Sequence, residues 1–190
     1  MMIKRAGLLL LGLAVVTVAL AAETFQIDPM HSGAMFRIKH MGISTVSGRF
    51  DRFTGSIDYD EKNPKSWKAS ATIETASVNT NIGKRDDHLR SAEYFDAAQY
   101  PQIVFKSGKV SAVKENKAKL EGNLTMHGVT RPVVLDLEIG GTMKDQEGKT
   151  HLGAAATTSV SRKDFAVGKE TPMLGDKVDI ILEIEAVPAK

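Results

Sequence analysis

Residues 178–186 read VDIILEIEA, in which Val178, Ile180, Leu182, Ile184 and Ala186 alternate with Asp179, Ile181, Glu183 and Glu185. Successive side chains of a strand point to opposite faces, so this segment has one apolar and one largely wet face. That pattern belongs to an antiparallel strand with one face on a core, not to a parallel strand buried on both. The same period recurs along the chain. Val133, Leu135, Leu137 and Ile139 alternate with Val134, Asp136 and Glu138, and Leu120, Gly122, Leu124 and Met126 with Glu121, Asn123 and Thr125. Trp67, Ala69, Ala71 and Ile73, then Phe53, Gly55, Ile57 and Tyr59, then Ala34, Phe36, Ile38 and His40 behave alike. Residues 103–106 and 152–160 carry the period more weakly. Turn-forming stretches at 61–64, 114–117, 128–132, 144–149 and 175–176 separate them. The spacing predicts an all-β barrel or sandwich. One segment departs: residues 83–99 hold Leu89, Ala92, Tyr94 and Phe95 among charges with no strand period. It predicts a loop with one short helix, ended at Tyr100-Pro101.

The chain has 190 residues and no Cys. The length favours one domain, and the missing thiol removes cysteine nucleophiles, thiolate zinc and iron–sulfur chemistry. Lys4 and Arg5 precede an apolar run over residues 6–20, and Ala19-Leu20-Ala21 with Ala22 forms a small-residue cleavage signature. This reads as a cleaved secretory signal over residues 1–22, with 23–190 exported as a single domain. Without Lys4 and Arg5 the 25 basic residues equal the 23 acidic ones in number. A nucleic-acid partner is therefore not expected, since phosphate binding calls for a basic surplus.

Gly55, Ala69, Ala71, Gly122, Ala154 and Ala156 interrupt the large residues of the apolar faces. Small inward residues suit a barrel hollow enough for one ligand, or equally the curvature and taper of a filled one. Catalytic motifs are sparse. Gly148-Lys149-Thr150 fails as a phosphate loop because the required first Gly falls on Met143. Of His31, His40, His88, His127 and His151, none pairs at i+2 or i+4, so no metal site is expected. In the dense polar stretch 85–91, Asp86 or Asp87 could orient His88 as a base for Ser91 as nucleophile. The same residues serve better as a helix-terminal salt-bridge network, since nothing nearby in sequence supplies an oxyanion hole. Arg162-Lys163-Asp164-Phe165 forms a second polar knot, read as the cap of one barrel end. Asn123-Leu124-Thr125 matches a glycosylation sequon but lies in strand alternation.

Taken together, certain stretches resemble the YceI-like family of bacterial secreted, polyisoprenoid-binding proteins. They are Asp28-Pro29-Met30-His31-Ser32, Phe36-Arg37-Ile38-Lys39-His40-Met41-Gly42 and Gly48-Arg49-Phe50, then the 85–91 cluster, Phe95 leading to Tyr100-Pro101, and Phe105-Lys106-Ser107. Residues 122–133 and Arg162-Lys163-Asp164-Phe165 complete the set, in order across the chain. Ala166 stands where a Gly commonly follows the Asp-Phe pair, and Ser161 where Asn often precedes the Arg.

The resemblance implies a closed antiparallel eight-stranded lipocalin-like β-barrel, all-β apart from the short helix in the 83–99 connection. It implies a periplasmic lipid binder, often a dimer, that sequesters or carries a long isoprenoid of quinone or polyprenyl type or a similar amphiphilic lipid. No cofactor, no settled enzymatic activity and only transient membrane contact are expected. Phe36, Ile38, Phe53, Ile57, Leu124, Val133, Leu135, Leu137, Ile180 and Leu182 should line a tail path. His40, Arg85, His88 and Arg162 are the candidates to meet the head group. Two other readings stay open: a hydrolase built on Asp86, His88 and Ser91, and a module binding a redox or stress-related partner protein. The latter predicts a filled barrel interior.

Overall fold

The computed structural model describes residues 22–190, so the predicted signal segment lies almost wholly outside the described residues. Eleven strands and one α-helix follow in order. They are β1 (Glu23–Ile27), β2 (Gly33–His40), β3 (Ser44–Phe50), β4 (Phe53–Tyr59), β5 (Lys68–Glu74), β6 (Val78–Asn79), α1 (Gly83–Arg90), β7 (Gln102–Lys114), β8 (Lys117–Met126), β9 (Val129–Lys144), β10 (Thr150–Ser161) and β11 (Leu174–Pro188).

Every ladder is antiparallel. The ring β1-β4-β5-β7-β8-β9-β10-β11 closes through β1 on β11, giving the eight-stranded barrel the resemblance implied. Three staves are broken strands. β11 pairs first with β2, from Leu174 opposite His40 to Glu183 opposite Gly33, then with β1, from Ala186 opposite Ile27 to Pro188 opposite Phe25. β3 beside β2 and β4 beside β1 form the next stave in the same way, and β5 continues into β6 after one 3₁₀ turn at Thr75–Ser77. A closed sheet leaves no unpaired edge along its length.

Two hairpins show why particular dipeptides sit where they do. Met41 and Gly42 have φ of 52° and 73°, and His127 and Gly128 have 51° and 74°. Positive φ at both central residues is the type I′ turn, whose twist matches the strands it joins.

The ends of the barrel differ. At the end holding the β9–β10 hairpin, Phe25, Trp67, Leu152 and Ala186 are buried. Tyr59 stacks between Phe25 (centroids 6.4 Å apart) and Trp67 (5.4 Å). The Trp67 indole N–H donates to the Asp60 carbonyl at 2.7 Å. This end is plugged. The other end carries α1 and the turn after β10. The helix is mostly charged, and polar bonds hold it rather than an apolar stripe. Asp86 is buried and accepts from the Thr80 amide at 2.8 Å and from its hydroxyl. Arg90 donates to the Ala76 and Val78 carbonyls.

The structure corrects four sequence expectations. β1, β3 and β6 carry too few strongly alternating residues to stand out. The stretch 128–132 is a turn only at its start. β9 runs through Pro132, which is tolerated because residues 129–135 have no β10 partner on that side. Gly175 and Asp176 are not a turn but an irregularity inside β11, between the pairs at Leu174 and Val178. The glycines do not hollow the lumen. A Cβ at Gly122 would meet a Phe105 ring carbon and the Lys106 carbonyl, each at 2.6 Å, and one at Gly55 would meet the Ser70 carbonyl at 2.4 Å and Ile27 Cδ1 at 2.7 Å. They make room for neighbouring side chains and backbone, while Ala69, Ala71, Ala154 and Ala156 face the cavity.

Ala166 ends the 3₁₀ turn Lys163–Phe165 at φ 55°, ψ 29°. A left-handed non-glycine residue costs about 1–2 kcal/mol. Ala166→Gly is expected to stabilise the fold by about 1 kcal/mol after the entropic loss in the unfolded chain. Urea unfolding checks this: an unchanged or lower midpoint contradicts it.

Candidate functional site

Above the plugged end the barrel encloses a cavity of about 520 Å³, walled almost entirely by apolar side chains. Its depth follows from strand alternation. Inward residues of β4, β5, β8, β9, β10 and β11 meet across the lumen, and many are too small to touch. On one stretch of wall Leu120 of β8 pairs with Leu135 of β9, and Leu137 of β9 with Ala156 of β10. All ten side chains expected along a tail path lie on this wall. The lumen is therefore not filled by the chain's own residues, as a partner-binding module with a solid barrel would require.

Sequence reading missed several wall residues. Phe50 comes from β3, a strand with little alternation, and Phe95 from the loop after α1. Phe50 lies 5.7 Å, centroid to centroid, from both Phe36 and Phe95, forming an aromatic shelf beneath the helix. Thr171, Met173 and Leu174 complete the rim. The Gly48-Arg49-Phe50 and Phe95 stretches of the resemblance were the signals pointing to this region.

The four head-group candidates all lie on the wall at the helix-bearing end, in different states. His40 closes β2 opposite Leu174. Arg85 donates from Nε to Thr80 Oγ1 at 2.7 Å and from Nη2 to the Thr80 carbonyl at 2.9 Å. His88 is exposed, its Nε2 2.8 Å from Glu93 and its ring edge-on to Tyr94. Arg162 is buried, donating to the Gly175 and Val167 carbonyls at 2.9 Å each. The catalytic alternative is not assembled. Asp86 serves Thr80, His88 bonds Glu93, and the Ser91 hydroxyl donates to the His88 carbonyl at 2.7 Å.

A separate polar cluster lies outside the barrel wall. Asp28, His31 and Glu185 present metal-capable atoms within 4.8 Å of one another, which helical or strand spacing of His could not reveal. They pair among themselves. His31 Nδ1 is 2.9 Å from Asp28, and His151 lies 2.8 Å from Glu185 and 3.1 Å from Asp145. The hydrogen bond to Asp28 raises His31 above its ordinary 6.5, and those to Asp145 and Glu185 raise His151 likewise. The His31 and His151 hydrogen bonds hold Asp28 and Asp145 below the ordinary 3.8.

Residues 25–186 match the YceI-like domain family. The chain is 40% identical over 173 residues to a UPF0312 protein of Pectobacterium carotovorum, covering 90% of each. It resembles the crystal structure of a Campylobacter jejuni YceI protein with a TM-score of 0.74 and 36% identity, covering 80% of this chain and 90% of that one. A polyisoprenoid-binding domain from Saccharophagus degradans superposes with a TM-score of 0.68 at 16% identity, covering 88% of this chain and 99% of that one.

Raised imidazole values stabilise the fold fully below pH 6.5 and lose that contribution as pH rises through them. Lowered carboxylates contribute above pH 3.8 and lose it on acidification. The cluster therefore helps most between about pH 4 and 6.5. The wild type is expected to lose more Tm between about pH 6 and 8 than a His31→Gln/His151→Gln variant. Equal slopes in thermal melts would contradict this.

Proposed function

The chain belongs to the YceI-like family, and from that premise we propose that it is an exported, periplasmic protein that shelters a long isoprenoid of quinone or polyprenyl type. The observation that carries this is the apolar cavity of about 520 Å³, closed at one end and rimmed by Arg, His and Thr side chains at the other. The polyisoprenoid-binding structure of similar fold supports the choice of ligand class.

The energetics favour a carrier. Each CH₂ removed from water is worth ~0.8 kcal/mol. About 40 carbons would sum to roughly 30 kcal/mol, above the ~18–21 kcal/mol ceiling of non-covalent affinity. Water is therefore the wrong reference. The lipid's alternative home is a bilayer, itself apolar, so loading and unloading lie near balance and depend on fit and head-group contacts.

Crossing water would forfeit that balance, so transfer requires the rim to touch a membrane. The rim suits this. Met41, Ile43 and Met173 are 49%, 84% and 48% exposed, and the Met41 amide donates to the Met173 carbonyl, joining hairpin and rim. Met173 is also part of the cavity wall. The same reading includes a homodimer, which sedimentation measures.

Native expression followed by lipid extraction and mass spectrometry is expected to yield one isoprenoid per barrel, and Leu135→Trp to abolish it while the fold melts cooperatively. Sub-stoichiometric, mixed fatty acids would overturn a dedicated isoprenoid function. Ile43→Asp is expected to slow lipid uptake from vesicles about tenfold with equilibrium occupancy unchanged. An unchanged rate would remove the rim from the pathway.

A further inference from the structure

The cavity reading leaves open what kind of head group enters, and one residue at the rim bears on it. Arg162 is 3% exposed and forms part of the cavity wall. Its Nε–H donates to the Gly175 carbonyl and its Nη1–H to the Val167 carbonyl, both at 2.9 Å. Its Nη2 is buried and, among the described residues, has no hydrogen-bond partner.

A purely structural role explains two of these nitrogens. Arg162 pins the 167 and 175 carbonyls, so the chain between β10 and β11 folds back over the rim. It does not explain the third. A buried donor left unmade is costly, more so when charged. A lysine or histidine could escape by giving up its proton, but a guanidinium stays charged. Its two bonds are to neutral carbonyls, and the Asp176 carboxylate, close enough to feel its charge, takes no hydrogen bond from the guanidinium. The other rim groups differ. Arg85 bonds Thr80 through Nε and Nη2 but is only half-buried, and His88 is exposed and faces Glu93. Of the four candidates, Arg162 alone combines burial with an unmet charged donor.

Resting on the lipid-binding reading above, we propose that Arg162 Nη2 is the anchor for the ligand's head, and that the head carries an anionic oxygen, phosphate or carboxylate. Charge-assisted bonds of a guanidinium to such oxygens are shorter and stronger than bonds to a neutral carbonyl. The head then sits beside Met173 and Leu174, and the tail runs inward past Ala156 and Leu137.

The test is displacement of 1-N-phenylnaphthylamine from the delipidated protein by three C20 compounds: geranylgeranyl phosphate, geranylgeranoic acid and the parent hydrocarbon. At least one anionic compound is expected to bind about ten- to a hundredfold tighter than the hydrocarbon, and the tighter of the two names the head. Arg162→Met is expected to erase that preference while hydrocarbon binding stays within about threefold. Equal affinities for all three in the wild type, or a preference that survives Arg162→Met, overturns the inference. Arg162→Met also removes the pins on residues 167 and 175, so its folding is checked by circular dichroism. If it does not fold, the wild-type series decides alone. Failure of every compound to displace the probe would strike the cavity reading itself, a result distinct from equal binding.

Discussion

The structure depends on one packing constraint: an eight-stranded ring whose inward side chains do not reach one another across the middle. Protein interiors normally close to a density of about 0.75. Here the wall pairs medium residues with Ala69, Ala71, Ala154 and Ala156, and a cavity of about 520 Å³ remains. At roughly 24 cal/mol per Å³, an unfilled cavity of that size costs on the order of 10 kcal/mol. The net stability of a whole domain is about 5–15 kcal/mol. A fold carrying that void is under strong pressure to have it occupied by something apolar, and ligand binding and folding stability are linked by mass action.

The barrel answers this with asymmetry. Phe25, Tyr59 and Trp67 form a stacked base, and the buried Leu152 and Ala186 seal it. At the other end the staves break. β5 stops at Glu74, one 3₁₀ turn intervenes, and the short β6 leads into α1. The helix lies over the opening without an apolar stripe of its own, fixed by Asp86 on Thr80 and Arg90 on two carbonyls. Elements held by a few polar bonds and little buried apolar area open at lower free energy than core strands. Access to the lumen is thus placed where the sheet is weakest.

Much of this was legible before any coordinates. Strand alternation in 120–126, 133–139 and 178–186 located the staves, because a closed antiparallel sheet imposes one apolar face per strand. Most of the inward residues so identified reach the cavity wall; Gly122, Ile139 and Ala186 do not. β3 was illegible, since Ser44 and Gly48 leave its inward face with little hydrophobic signal beside Val46, yet it delivers Phe50 to the aromatic shelf. The glycines misled for a physical reason. A missing Cβ in a strand admits either empty space or a neighbour, and at Gly55 and Gly122 the neighbour is Ile27 or the Phe105 ring.

What the residues settle alone is local: period, turn chemistry, charge balance, and hence an all-β chain with one wet and one apolar face. Met41-Gly42 and His127-Gly128 specify their turns through backbone sterics that need no distant partner. What only the tertiary structure decides is everything that depends on closure. β1 meeting β11 across more than 150 residues of chain determines that the apolar faces enclose a space and do not pack flat against a second sheet. It also gathers Asp28, His31, His151 and Glu185 from three distant segments, and leaves Arg162 buried with a donor unmet. No spacing rule along the chain encodes those meetings, because they arise from how distant strands come together when the ring closes.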